Sequence, residues 1–258
     1  MQPKLAITTR GSGGDYRFPV EFATGNGFDG IDWNLDFFRV AVSVPTRRKF
    51  VDAALGSGLP SRFHAPCQDV EIAHGDPEIA GASLEYLKLY IRLLEDFPGA
   101  HFNLHIGSRS IPESELSWDA AVRNLRELVR YGRDHGIVVC FENLKHGWTR
   151  DPAKLAALAE ASDAAVTLDI GHARATLRAD HSEISLEEYV QPFAGRIRDL
   201  HLYEIESVEG KHIAPENLDA IRPILRWALQ QGVDWWVIEL TSYDEILRTQ
   251  RMLAAEFK

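Results

Sequence analysis

Cysteine is scarce. Cys67 and Cys140 are the only two in 258 residues, too few and too far apart for a disulfide framework or a cysteine-based zinc cluster. No run of 18 apolar residues occurs, which excludes a membrane-spanning helix. The first strand-like segment is not followed by Gly-x-Gly-x-x-Gly, and no loop ends in Gly-Lys-Ser/Thr, so the fingerprints of dinucleotide and P-loop phosphate sites are missing. Serine or cysteine nucleophile motifs, heptads, repeats and low-complexity tracts are absent too. The opening Met1-Gln2-Pro3-Lys4 lacks the basic start and apolar block of a secretion signal. The expectation is therefore a cytoplasmic protein with reduced thiols. Basic residues are outnumbered 28 to 38, giving a formal net charge of −10, which disfavours a surface devoted to nucleic acid.

What is present is a core-forming composition, 45% hydrophobic, arranged as strand, loop and amphipathic helix in turn. Leu5–Thr8 reads as a strand, Thr9–Gly14 as a glycine-rich loop and Phe18–Thr24 as a helix. The strand Phe28–Trp33 precedes a helix over Thr46–Ser57 with Thr46 as its cap. Ser61–Ala65 is followed by a helix from Pro77 to Phe97 whose Ile79, Leu84, Leu87, Ile91 and Leu94 share one face. His101–Ile106 and Ile137–Asn143 flank the helix Trp118–His135, capped by Ser117 and ended by Gly136. Pro152–Ala161 is a helix capped by Asp151. Ala165–Ile170, a short helix Leu186–Phe193, Ile197–Tyr203, a helix Pro215–Gln231, Trp235–Leu240 and a closing helix Tyr243–Phe257 complete the chain. Eight such alternations imply a parallel sheet. Their similar lengths favour an α/β fold of one closed (β/α)8 barrel spanning residues 1–258.

The apolar runs share an ending. Positions 64, 105, 142, 169, 201 and 239 hold His, His, Glu, Asp, His and Glu, spaced by 41, 37, 27, 32 and 38 residues. A barrel of ~250 residues spends roughly 30 on each strand–helix unit and carries its chemistry where the strands end. One ligand-type side chain per unit would thus meet at one mouth. A single His or Glu at a strand end is ordinary lining; Glu142, Asp169, His201 and Glu239 at matching positions on four neighbouring strands are not. Converging carboxylates repel one another, and a divalent ion such as Mn²⁺, Zn²⁺, Co²⁺ or Mg²⁺ suits this hard N/O set. His64 and His105 are candidates for a second ion bridged by Glu142. His172 and His212 are candidates for substrate contact or a third ion. Lys145, His146, Arg109, Arg174 and Lys211 fall in the loops after the later strands and could grip an anionic group. Asp32, Trp33, Trp148 and Tyr203 are candidate pocket residues, and Arg10 with its glycine loop a candidate cover.

These strand ends resemble the xylose isomerase-like barrel superfamily over nearly the whole chain. In the ketose 3-epimerase branch a Glu, Asp, His, Glu quartet binds one metal. The resemblance carries this onto Glu142, Asp169, His201 and Glu239, with Glu142 and Glu239 as proton shuttles and His172 on the substrate. The endonuclease IV branch adds histidines matched by His64, His105 and His172, and an Asp-x-His pair of which His212 fits the His while Gly210 stands at the Asp. The resemblance implies a metal-dependent isomerase or epimerase of a sugar, sugar phosphate or polyol-ketone. A phosphoesterase of the nuclease type and a dehydratase or lyase on a keto-polyol are the alternatives. It implies a small carbohydrate-like substrate and, as superfamily members often do, assembly into homo-oligomers.

Overall fold

The computed structural model describes residues 2–38, 40–41, 43–107 and 111–257; Arg109 lies outside them. Eight parallel strands close a barrel: β1 (Lys4–Thr8), β2 (Gly30–Asn34), β3 (Ser61–His64), β4 (His101–Leu104), β5 (Val138–Glu142), β6 (Ala165–Asp169), β7 (Ile197–Leu202) and, after a two-stranded antiparallel hairpin of β8 (Ile205–Glu206) and β9 (His212–Ile213), β10 (Trp235–Ile238). β10 pairs with β1 to complete the ring. The helices are α1 (Arg17–Gly25), α2 (Val44–Gly56), α3 (Pro77–Leu93), α4 (Trp118–Asp134), α5 (Pro152–Ser162), α6 (Ile170–Ala179), α7 (Leu186–Val190), α8 (Arg222–Gln230) and α9 (Tyr243–Phe257).

Strand side chains alternate between the barrel interior and the helix layer. In β5, Val139 and Phe141 join the main apolar core, while Cys140 meets His101 and Asp199 from β4 and β7. The interior departs from the branched-aliphatic filling usual for this fold. A separate apolar cluster consists of only Ala6, Trp235 and Val237. Polar groups occupy much of the rest: His101 Nδ1 donates to Asp199 Oδ2 at 2.6 Å, and Arg62 lies over the Trp235 ring at 4.7 Å.

One irregularity sets the geometry of the mouth. Val166 pairs with Ile197 but Thr167 pairs with Asp199, so the ladder skips Arg198 and brings Asp169 opposite His201. An extra residue in one strand re-aims the side chains beyond it. In unbroken register Asp169 would face Leu200 instead.

Several local expectations change. The cap of α2 is Ser43, whose Oγ accepts the Thr46 N–H at 3.3 Å. A capping oxygen lies two or three residues before the N–H it receives, so Thr46 is the third helical residue. The helix expected from Pro215 starts only at Arg222. Asn217 Oδ1 takes the Asp219 N–H at 2.9 Å, a local turn that competes with helix. Leu186–Phe193 is helical to Val190 and continues as a 3₁₀ turn. The helix α6 and the β8–β9 hairpin were not expected. α6 starts directly at the end of β6 because the Asp169 side chain accepts the His172 N–H at 2.6 Å and caps it. Among the described residues no helix is long and apolar enough to cross a membrane.

Candidate metal centre

Glu142 and Asp169 are the last residues of β5 and β6, His201 is the penultimate residue of β7, and Glu239 follows β10. All four are buried, and one ligand atom from each lies within 4.8 Å of the others. His201 Nδ1 is 3.3 Å from Glu142 Oε2 and 3.2 Å from Glu239 Oε2. Asp169 Oδ2, His201 Nδ1 and Glu239 Oε2 make no hydrogen bond among the described residues. Buried polar atoms are seldom left this way, because desolvation without a partner is costly. Three such atoms in one mixed N/O set fit a divalent cation.

The electrostatics point the same way. Burial raises the Asp169 carboxyl to about 8, with Glu142 and Glu239 adding to the rise and His172 opposing it. Burial likewise raises Asp32 to about 7, against the pull of His201. Burial would raise Glu142 as well, but the His201 charge and the facing imidazoles of His105 and His172 hold it well below the usual carboxylate range. Glu239 is held low in the same way by His201, His212 and Arg10. Burial disfavours charge on His201, yet Glu142 and Glu239 raise it well above an ordinary imidazole. Without a metal, protein protons and imidazolium groups carry the positive charge the carboxylates require.

Two further groups flank the quartet. His64 Nε2 and His105 Nε2 stand 3.1 Å apart, and 3.9 and 3.7 Å from Glu142 Oε2. His64 Nδ1 donates to the Ala65 carbonyl at 2.8 Å, so its Nε2 presents a lone pair to the cavity. Burial and the neighbouring His105 lower His64 to about 4. On the other flank His172, Glu206 and His212 form a third His/carboxylate group. Its carboxylate comes from the hairpin, four residues before the glycine at the Asp-x-His position. Nothing in the sequence marks Glu206, because a two-residue strand has no readable period.

The remaining candidates are placed as follows. Lys145 Nζ lies 3.0 Å from Glu206 Oε2 and donates to the Ser207 carbonyl at 2.6 Å. Arg174 donates to the Glu204 carbonyl at 2.7 Å and so braces the hairpin. Arg10 reaches into the centre and donates to Glu239 Oε1 at 3.1 Å. Trp33 turns away from the mouth, donating to Ser61 Oγ and packing on Phe38 and Phe50; Trp148 packs on Trp118. Asn103, not singled out from the sequence, donates to Glu142 Oε2 at 2.5 Å. Its clue was the two-residue interval to His105, which puts both on the inner face.

Tyr203 stacks on His212 with ring centroids 3.8 Å apart and planes at 9°. Gly171 in α6 makes room for it, since an added Cβ would overlap the Tyr203 ring. Gly171→Ala is expected to destabilise the fold by about 1–3 kcal/mol through overpacking. The readout is a lower denaturant midpoint at unchanged m-value; an unshifted midpoint would mean that Tyr203 yields freely.

A closed parallel barrel with buried carboxylates and imidazoles gathered at the carboxyl ends of its strands places this chain among the (β/α)8 proteins that carry their functional groups at that face. Residues 20–250 match the family model of the xylose isomerase-like TIM barrel, and the chain belongs to that family. An uncharacterized protein of Methanocaldococcus jannaschii is 28% identical over 194 residues, covering 74% of this chain and 77% of the relative. A D-tagatose 3-epimerase-like protein superposes with a TM-score of 0.79 at 18% identity, covering 98% of this chain and 96% of the other. A xylose isomerase-like TIM barrel protein from Mycobacterium smegmatis, solved in complex with magnesium, gives 0.71 at 19% identity over 98% and 96%.

Proposed function

We propose that this protein is a divalent-cation-dependent isomerase or epimerase of a sugar or related polyol-ketone, with Glu142 and Glu239 as its proton-transfer pair. The observation that carries this reading is that both carboxylates approach one nitrogen, His201 Nδ1, at 3.3 and 3.2 Å. They therefore face a common space at the barrel mouth, from the strands β5 and β10 that flank β6 and β7.

Glu142, Asp169, His201 and Glu239 would hold the ion, which supplies Lewis acidity toward a substrate carbonyl. The pair does the rest. One carboxylate removes the proton alpha to the carbonyl, an enediolate forms, and the other carboxylate, once it has taken a proton from a neighbouring acid, delivers it to that carbon, while the first loses its proton to solvent to reset the pair. Both start ionised, which suits removal. For the return, His172 Nδ1, which donates to the Asn143 carbonyl at 2.9 Å, also stands 3.3 Å from Glu142 Oε1 and is the nearest acid to it. Burial opposes charge on His172, but in the metal-free protein Asp169 and Glu142 outweigh it and raise the imidazole to about 9. The similarity to a D-tagatose 3-epimerase-like protein supports a ketose as substrate.

The test is proton NMR in D₂O with a panel of free and phosphorylated ketoses. Deuterium is expected at the carbon beside the carbonyl only when the protein carries a divalent ion. No exchange across the panel from fully loaded protein would discard this reading. A second reading, phosphoester hydrolysis at a two-ion centre, is favoured by the open His64–His105 flank sharing Glu142. It expects turnover of a chromogenic phosphodiester that His64→Ala abolishes.

A further inference from the structure

We propose that Arg10 and Lys145 are built-in cations that close the His172–Glu206–His212 corner to a metal ion, so that ions enter only the quartet and the His64–His105 flank. The inference rests on the reading that the quartet holds a divalent cation.

Two of the three ligand groups at this corner, His212 and Glu206, already face a protein cation, while His172 donates its Nδ1 proton to the Asn143 carbonyl at 2.9 Å. His212 Nδ1 donates to the Glu239 carbonyl at 2.7 Å, leaving Nε2 as its one nitrogen with a lone pair. Arg10 Nη1 donates to that Nε2 at 2.8 Å and reaches Glu239 Oε1 at 3.1 Å. An imidazole nitrogen whose lone pair accepts from a guanidinium cannot bind a metal at the same time. Lys145 Nζ stands 3.0 Å from Glu206 Oε2 and is tethered by its bond to the Ser207 carbonyl. Each protein cation thus covers one ligand of the corner. A guanidinium stays charged at any working pH, so the block needs no titration to persist.

The opposite flank supplies the contrast. Among the described residues no lysine or arginine donates a hydrogen bond to His64 or His105 or pairs with Glu142, whose contacts are imidazoles and the Asn103 amide. The loop that delivers Arg10 is held in place: at Gly11 it runs so close to the Thr241 carbonyl, two residues past Glu239, that a side chain would collide. Arg10 also takes the outer oxygen of Glu239, leaving Oε2 to the quartet. A permanent charge then occupies the position that a third ion would fill, so the corner excludes a three-ion centre and leaves room for one ion at the quartet and one at the His64–His105 flank.

The experiment is metal counting by mass spectrometry on full-length protein loaded with excess Zn²⁺ and desalted. Arg10→Met combined with Lys145→Met keeps the aliphatic length and removes both charges. The double variant is expected to carry one equivalent per chain more than the parent, and adding Glu206→Gln should return the count to the parental value. An unchanged count in the folded double variant overturns the proposal, as does a parent that loses one equivalent on Glu206→Gln alone. If the double variant does not fold, Arg10→Met alone, which frees His212 Nε2, is read by the same criterion. The underlying reading is judged separately: a parent whose count is insensitive to Glu142→Gln has no ion at the quartet, whatever the double variant does.

Discussion

Glu142→Gln is expected to lower kcat for exchange of the carbon-bound proton by about 10²–10⁴-fold, the range for loss of a positioned acid–base group, and to release the ion. The glutamate is buried at the end of β5. Its Oε2 accepts from Asn103 at 2.5 Å and lies 3.3 Å from His201 Nδ1, and its Oε1 lies 3.3 Å from His172 Nδ1. It is also the carboxylate shared by the quartet and the His64–His105 flank. Glutamine keeps the volume but removes the charge that these imidazoles surround, and it offers an N–H₂ where an acceptor is needed. Asn103→Ala provides the comparison. It deletes a group that orients Glu142 without touching substrate, so the expected loss is smaller, about 10–100-fold in metal affinity, with kcat recovered at saturating metal. Steady-state kinetics with metal titration separates the two. A glutamine variant with parental kcat would remove Glu142 from the chemistry.

Stripping the metal is expected to make stability fall as pH rises from about 6.5 to 9. Asp169 has its carboxyl raised from 3.8 to about 8 and Asp32 from 3.8 to about 7, burial being the main cause in each. Over that interval the folded state keeps protons that the unfolded chain has released, so both carboxyls cost stability as pH climbs through their folded values. His172, raised from 6.5 to about 9 by Asp169 and Glu142 against the effect of burial, acts with the same sign. Its stabilising contribution is complete below 6.5 and is lost as pH passes 9. His64 and His212, both lowered to about 4 chiefly by burial, act with the opposite sign but only below 6.5. Glu142 and Glu239, held low, contribute above about 4.5 and lose that contribution in acid. Each proton held in excess by the folded state is a slope of about 1.4 kcal/mol per pH unit, or about 2–4 °C in Tm per kcal/mol for a chain of this size. A bound divalent ion supplies the missing charge and is favoured by deprotonation of its ligands, so the metal-loaded protein should lose most of the slope. Thermal melts at pH 6.5, 7.5 and 8.5 with and without chelator check this. Superimposable profiles would mean that no ion occupies the quartet.

Much of the barrel and of its mouth was legible in the chain. The apolar runs are buried strands, and Glu142, Asp169, His201 and Glu239 meet as their strand-end positions implied. The same alternation that marks a strand also tells which residue points inward, and parallel strands bring their carboxyl ends to one side. Legibility failed where no period exists to be read. Glu206 sits on a two-residue strand, Arg10 in a loop, and α6 begins without a break at Asp169. Lys145 and Arg174 looked like free cations for a substrate, yet each is tied to the hairpin carrying Glu204 and Glu206.

By itself, then, the sequence determined the eight-fold strand–helix alternation, the α/β class and the set of acidic and imidazole side chains at strand ends, because hydrophobic period and spacing are local properties of the chain. Only the tertiary structure decided which of these groups touch. The skipped Arg198 puts Asp169 beside His201, Asn103 holds Glu142, and Arg10 and Lys145 face two of the three ligands of the third corner. Those pairings depend on register and loop paths across residues far apart in the chain, where distances of a few ångströms separate an ion pair from a metal ligand.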